Sequence, residues 1–345
     1  MILSRACVLA AALMALAGSA VADDHKPEPP GPWKYVVGLG LNLSQSEFSS
    51  NWAGGDRGAL VWVFSSQSTA ERQFSTTFNW TNSLKLAYGQ TANQARTSAG
   101  LHWESPDKTT DAIAFESLGR WTLGGPLDPY FAFDAASQFE DQSDPRGTID
   151  FNPIELKESA GAARMLYRTD DSQALTRLGF GFREVLAKAF TDPLGQSRRS
   201  FSSEDGGIEW QTDVTQPTLH KKVLYKGTLL VRQPVFYSKK DDLKKVDDAL
   251  RAAYAGRESI ADFWKATRVN FDNNFAAPIT KNLGVNLAVT WVYVKFDAAA
   301  LVDPALAASA DPAVRDAYAR QIDKNVRKAG QFREVLSLAI TYRLL

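Results

Sequence analysis

The sequence predicts an all-β fold, a transmembrane antiparallel up-and-down β-barrel of about 12 strands with short periplasmic turns and long extracellular loops carrying small helices. Three observations predict it. Apolar and polar residues alternate with period two over segments longer than ordinary globular strands. The connections between those segments alternate between long and short. The N-terminus has the pattern of an export signal, yet no later stretch is apolar over the length that a membrane helix needs.

The elements follow in order. Residues 1–22 read as a signal peptide: Arg5 supplies the positive charge, Cys7–Ala17 is a short apolar run, and Ala20-Val21-Ala22 is a small-x-small cleavage site. Cys7 is the only cysteine, so the chain from Asp23 onward has no disulfide, thiolate metal site or cysteine nucleophile. Residues 23–32 form a polar, proline-rich periplasmic leader, and residues 33–345 form the barrel.

In 72–88, Phe74, Thr76, Phe78, Trp80, Leu84, Leu86 and Tyr88 alternate with Gln73, Ser75, Thr77, Asn79, Thr81, Ser83 and Lys85. In 281–294, Leu283, Val285, Leu287, Val289, Trp291 and Tyr293 share one face. Successive side chains of a strand point to opposite sides, so each segment has one apolar and one polar face. A membrane strand takes about 9–11 residues, and in lipid only a barrel leaves no backbone edge unpaired.

Twelve segments fit: 34–44, 57–66, 72–88, 111–122, 129–140, 157–168, 174–187, 207–217, 221–232, 262–275, 280–296 and 331–344. Residues 97–103 alternate weakly and are rejected by parity. With twelve strands the long connections 45–56, 89–110, 141–156, 188–206, 233–261 and 297–330 fall on one side, and short ones such as Ser65–Thr69 fall on the other. Trp33 and Trp121 suit a periplasmic interface girdle, and Trp264 and Trp291 an outer one. Two outer loops carry helical periodicity: Leu243, Val246, Leu250 and Tyr254 in 241–256, and Val314, Tyr318, Ile322 and Val326 in 312–328. These helices are expected to rest on the rim, with insertion into the mouth as the alternative.

Gly38-Leu39-Gly40-Leu41-Asn42-Leu43-Ser44-Gln45-Ser46, followed by Asn51-Trp52-Ala53-Gly54-Gly55, resembles an uncharacterised family, domain of unknown function 3078. Leu84–Gly89 and Glu158–Gly161 are similar to its later motifs, so the match would extend over essentially all of the chain after residue 22. The resemblance implies an outer-membrane barrel and brings no activity, ligand or catalytic residue.

The chemistry of the residues narrows the rest. Lys plus Arg and Asp plus Glu each number 39, which gives no global charge to attract nucleic acid. The three histidines, His25, His102 and His220, fall in the leader, an outer loop and a periplasmic turn, and His102 and His220, at opposite ends of the barrel, cannot share a catalytic site. His102 beside Glu104 and Ser105 reads as an ordinary loop histidine rather than a hydrolase remnant. Asp170-Asp171 and Asp241-Asp242 lack the spacing of a calcium loop. The expectation is therefore no enzyme, no metal and no cofactor. Asn51, Trp52, Gly54 and Gly55 are expected to fix the first hairpin, with ligand binding as the alternative.

The polar faces are more informative. Alternation turns Lys85, Arg120, Arg164, Arg168, Arg177, Arg183, Lys226, Arg232, Arg268, Arg333 and Arg343 inward, against Glu116, Asp134, Glu140, Glu209, Asp213 and Asp272. Such charges form either a hydrated channel or a salt-bridged plug. The basic excess points to a narrow outer-membrane channel with a mild preference for small anionic solutes. The alternatives are a non-conducting structural or surface-binding barrel and, third, a lipid-modifying enzyme. The expected partners are outer-membrane lipid and the barrel-assembly machinery, and the expected state is a monomer.

Overall fold

A computed structural model describes residues 29–47, 58–97, 100–169, 171–192, 194–280, 283–296, 301–326 and 330–343. The expected signal peptide, most of the leader, and Asn51, Trp52, Gly54 and Gly55 lie outside these residues.

Twelve long strands, each pairing antiparallel with its neighbours, dominate the fold: β1 (Lys34–Ser46), β2 (Ala59–Ser75), β3 (Phe78–Thr97), β4 (Asp107–Trp121), β5 (Asp128–Ser137), β6 (Ile154–Arg168), β7 (Gln173–Phe190), β8 (Arg198–Thr218), β9 (Val223–Tyr237), β10 (Arg268–Pro278), β11 (Leu283–Tyr293) and β12 (Gln331–Arg343). Pairing runs in chain order, and it returns to β1 through Gly38↔Arg343 to Asn42↔Ala339. That seam of five residue pairs is the shortest of the twelve among the described residues. The rejected segment 97–103 holds only a four-residue strand, Gly100–Trp103, which folds back on the end of β3 as part of an outer loop.

The two faces of each strand show why the ring is a membrane fold. On β7, Leu178 is 58% exposed while its neighbour Arg177 is 4% exposed. Phe180, Phe182 and Leu186 share the outward face, and Arg183, Val185 and Ala187 are buried on the inward one. A water-soluble protein distributes these residue types the other way. The apolar band ends in an aromatic girdle at the short-turn end. There Phe74 packs against Trp33, Phe78 and Trp80, and Phe78 packs on Trp121 at 5.2 Å. Amphipathic rings belong at that depth.

Several strand ends depart from the sequence expectation: β3 spans Phe78–Thr97 rather than 72–88, β9 runs on to Tyr237, and β10 begins at Arg268 rather than 262. The Ser65–Thr69 run reads as a turn, but it lies inside β2, and the hairpin turns at residues 76–77. Ser65, Gln67 and Thr69 take the inward register, where polar side chains suit the lumen, and the small Ser66 and Ser68 take the outward one beside Leu86 and Leu84. Residues 188–206 read as a loop, but β7 and β8 stay paired up to Phe190↔Arg198. Above the lipid both faces of a hairpin meet water, so alternation fades while backbone pairing continues.

The outer end carries α1 (Lys240–Ala253), α2 (Pro304–Ala307) and α3 (Pro312–Asn325). Asp303 and Asp311 cap α2 and α3 by accepting the backbone N–H two residues on. Leu243, Val246 and Leu250 of α1 and Tyr318 and Ile322 of α3 form one buried cluster with Tyr237, Val185 and Ala187. The last three lie on the inward faces of β9 and β7. The helices therefore seat on the lumen side of the mouth rather than on the rim. Trp264 joins that cluster instead of the interface girdle, because a short 3-10 turn, Phe263–Lys265, precedes β10.

Candidate functional site

The interior below the cap is a network of ion pairs. Its lowest member is Arg120, 3.5 Å from Asp128 beside the turn after β4. Higher up, Arg177 of β7 reaches Glu116 of β4 at 2.7 Å and Asp213 of β8 at 3.2 Å. Its guanidinium also stacks over the ring of Tyr130. Tyr130 fits because Gly161 and Gly179 face each other at that level: a Cβ on Gly179 would meet the Tyr130 hydroxyl at 2.6 Å.

Next comes Lys157 of β6, which lies 3.1 Å from Asp134 and 3.0 Å from Glu209. Beneath the cap, Asp205 of β8 gathers Arg183 at 2.6 Å, Arg232 at 2.8 Å and Arg268 at 3.8 Å. Arg183 also reaches Glu155 at 3.2 Å. On β10 and β11, Asp272 accepts from Asn270 and Thr290.

Most inward assignments hold. Lys85, Arg120, Arg177, Arg183, Lys226, Arg232 and Arg268 lie on the inward register of their strands. Arg164 does not. A bulge in the β6–β7 pairing separates Met165↔Leu175 from Tyr167↔Ala174, so the face inverts between Arg164 and Arg168. Arg164 is exposed on the outward face near the periplasmic end, where a basic side chain costs about 0–1 kcal/mol rather than the midplane penalty. Glu140 is not inside either; it lies in a short outer-loop strand and accepts from Tyr88 Oη at 3.3 Å.

Three central residues escape the sequence reading: Lys157, Glu155 and Asp205. The bulge hides Lys157, because counting back from Arg168 gives β6 the wrong face. Glu155 and Asp205 precede the predicted starts of their strands. The signal that finds Asp205 is its place two residues before Gly207, in phase with Glu209 and Asp213.

Two cavities adjoin this network. The lower one, 520 Å³, lies in the lumen and is lined by Lys85, Glu116, Asp134, Lys157, Arg232 and Arg268 among others. The upper one, 1030 Å³, is a vestibule between α3 and the outer ends of β6 and β7. His102 and His220 sit at opposite ends of the barrel, on the Gly100–Trp103 strand and the β8–β9 turn. Among the described residues no cluster of His, Cys, Asp and Glu is arranged to hold a metal.

Fold and site together define a transmembrane β-barrel whose interior is an ion-paired lumen beneath a helical cap. Residues 43–142 match the family described as Protein of unknown function (DUF3078), so the chain resembles that family over this stretch. The match takes in the second half of the first motif and the Leu84–Gly89 motif; Glu158–Gly161 falls outside it. No curated protein matches the sequence.

Among solved structures, an outer membrane channel from Pseudomonas putida F1 aligns at TM-score 0.39 and 9% identity, over 94% of this chain and 100% of that one. The translocator domain of autotransporter NalP from Neisseria meningitidis aligns at TM-score 0.35 and 10% identity, over 99% and 96%. The beta domain of the Bordetella autotransporter BrkA aligns at 0.30 and 12%, over 92% and 99%.

Proposed function

We propose that this barrel sits in the bacterial outer membrane as a narrow channel for small polar solutes, with a mild preference for anions. The outward apolar band and the girdle around Phe74 and Phe78 support the location. The observation that carries the channel reading is the lumen cavity beside the vestibule. A lumen with no transport role would be expected to fill with side chains, as small barrels do. Five basic and four acidic side chains line the lower cavity, so the anion preference is slight. It is slightly weaker than the sequence count suggests, because Glu155 and Asp205 join the acids while Glu140 leaves them, and Lys157 takes the place of Arg164 among the bases.

The expected state is a monomer in outer-membrane lipid, placed there by the barrel-assembly machinery. One observation favours a non-conducting barrel: the cap seats a buried apolar cluster on inward-facing Val185 and Ala187. Recordings of the purified protein in planar bilayers under a KCl gradient decide between them. Discrete steps with a reversal potential slightly toward that of chloride support the channel. A silent protein that still shows heat-modifiable migration overturns it.

A further inference from the structure

The helical cap cannot itself be the route into the lumen, because Leu243, Val246, Leu250 and Ile322 leave no accessible surface between its helices. The vestibule offers a way round it. On α3, Ala313, Asp316, Ala317, Arg320 and Gln321 line the vestibule, spaced at three and four residues, while Tyr318 and Ile322 turn into the cap. One face of α3 thus serves the cap, and the other lines the vestibule.

Glu155 and Arg183 line both the vestibule and the lumen cavity. Among the described residues no other side chain does. Their ion pair, Nη1 to Oε2 at 3.2 Å, lies where the two spaces meet. The two partners are held unequally. Arg183 Nε and Nη2 both donate to Asp205, whose side chain is 3% exposed, which fixes the guanidinium to the wall formed by β7 and β8. Glu155 comes from β6, its side chain is 35% exposed, and its Arg183 contact is one hydrogen bond.

We propose that the Arg183–Glu155 pair is the constriction of the solute path, with Arg183 as the fixed post and Glu155 as the moving leaf. This rests on the channel reading above. When Glu155 swings away, a passing anion meets an arginine already oriented by Asp205. When it returns, it neutralises that arginine and narrows the passage. The pair therefore sets both conductance and charge selectivity, whereas acids elsewhere in the lumen set neither to the same degree.

The test compares Glu155→Gln and Glu155→Ala with Asp134→Asn in planar bilayers with KCl. Asp134 lines the lower cavity only, where it pairs with Lys157, so its substitution removes an equal charge away from the junction. The expected result is a higher unitary conductance and a reversal potential shifted toward chloride for both Glu155 variants, larger for alanine, with Asp134→Asn near wild type. Equal shifts in all three variants, or none in either Glu155 variant, overturn the constriction while leaving a conducting channel in place. If all four proteins are silent despite correct heat-modifiable folding, the channel reading falls and the gate with it.

Discussion

Arg183 and Asp205 face each other across β7 and β8, and two nitrogens of the arginine, Nε at 2.9 Å and Nη2 at 2.6 Å, donate to a single carboxylate oxygen. The other oxygen of Asp205 lies 2.8 Å from Arg232. One buried carboxylate thus holds guanidinium groups from two neighbouring strands, at the level where the lumen meets the cap. Three cations surround it once Arg268 is counted. Such an arrangement is tolerable only while the anion is present.

The first prediction follows. Replacing Asp205 by Asn leaves several buried arginines around a neutral amide, and breaking a buried pair costs about 3–5 kcal/mol. The urea midpoint for loss of heat-modifiable migration should drop markedly in vesicles. Lys221→Ala, which breaks an exposed pair with Asp171 between two turns, should leave it unchanged. An Asp205→Asn barrel as resistant as wild type would mean that the hub contributes no stability.

A second prediction tests orientation. Single cysteines at Ser143, Gln196, Lys244 and Asp311 should react with an impermeant maleimide on intact cells. Those at Gly125, Ser172 and Lys222 should not react. The first group occupies the connections on the helix-bearing end, and the second occupies the short turns. Outside labelling of Gly125 would invert the barrel.

The cap supplies a third. Leu250 and Ile322 are fully buried and belong to helices in different loops. Truncating either to alanine should cost about 2–5 kcal/mol of local packing. That loss should fall on the cap rather than on the barrel, whose pairing does not involve these residues. Trypsin should then cut within 238–267 in folded protein that keeps its gel shift. Loss of the gel shift as well would show that barrel and cap fold as one unit.

How far the sequence could be read follows from where alternation has a cause. Within the lipid band, one face meets hydrocarbon and the other water, so Leu178 and Arg177 announce their directions. Helix periodicity likewise located Leu243 and Ile322, since a cap with one buried face repeats every three to four residues. Three things were illegible. The bulge near Met165 adds a residue without marking the sequence, and it reversed Arg164 and Lys157. The tall β7–β8 hairpin lost its pattern above the membrane, and it took Asp205 with it. The pairing of charges, which decides between a basic pore and a nearly neutral one, depends on neighbours from different strands. Asp205 and Arg183 are 22 residues apart, and Glu116 and Arg177 are 61 apart.

The last prediction concerns acid. Asp144 lies in the outer loop beside the vestibule, where it accepts from Arg146 Nε at 2.8 Å and from the Arg146 backbone N–H at 2.9 Å. Arg146 in turn donates Nη1 to the carbonyl of Asp192 at 2.9 Å, which ties this loop to the β7–β8 hairpin. The Arg146 side-chain bond, aided by the backbone N–H and the positive charge, holds the Asp144 carboxyl below its ordinary range. A carboxyl with a depressed folded pKa contributes stability above its unfolded value, about 4, and loses that contribution as pH falls through the folded value. The tie should therefore be intact from pH 7 to pH 5 and fail only in stronger acid. A fluorophore on a cysteine at Ser143 should show constant anisotropy over that upper range and a fall below about pH 4. Asp144→Asn should show the low value at every pH. A transition near pH 6 in wild type would assign the tie to a different group.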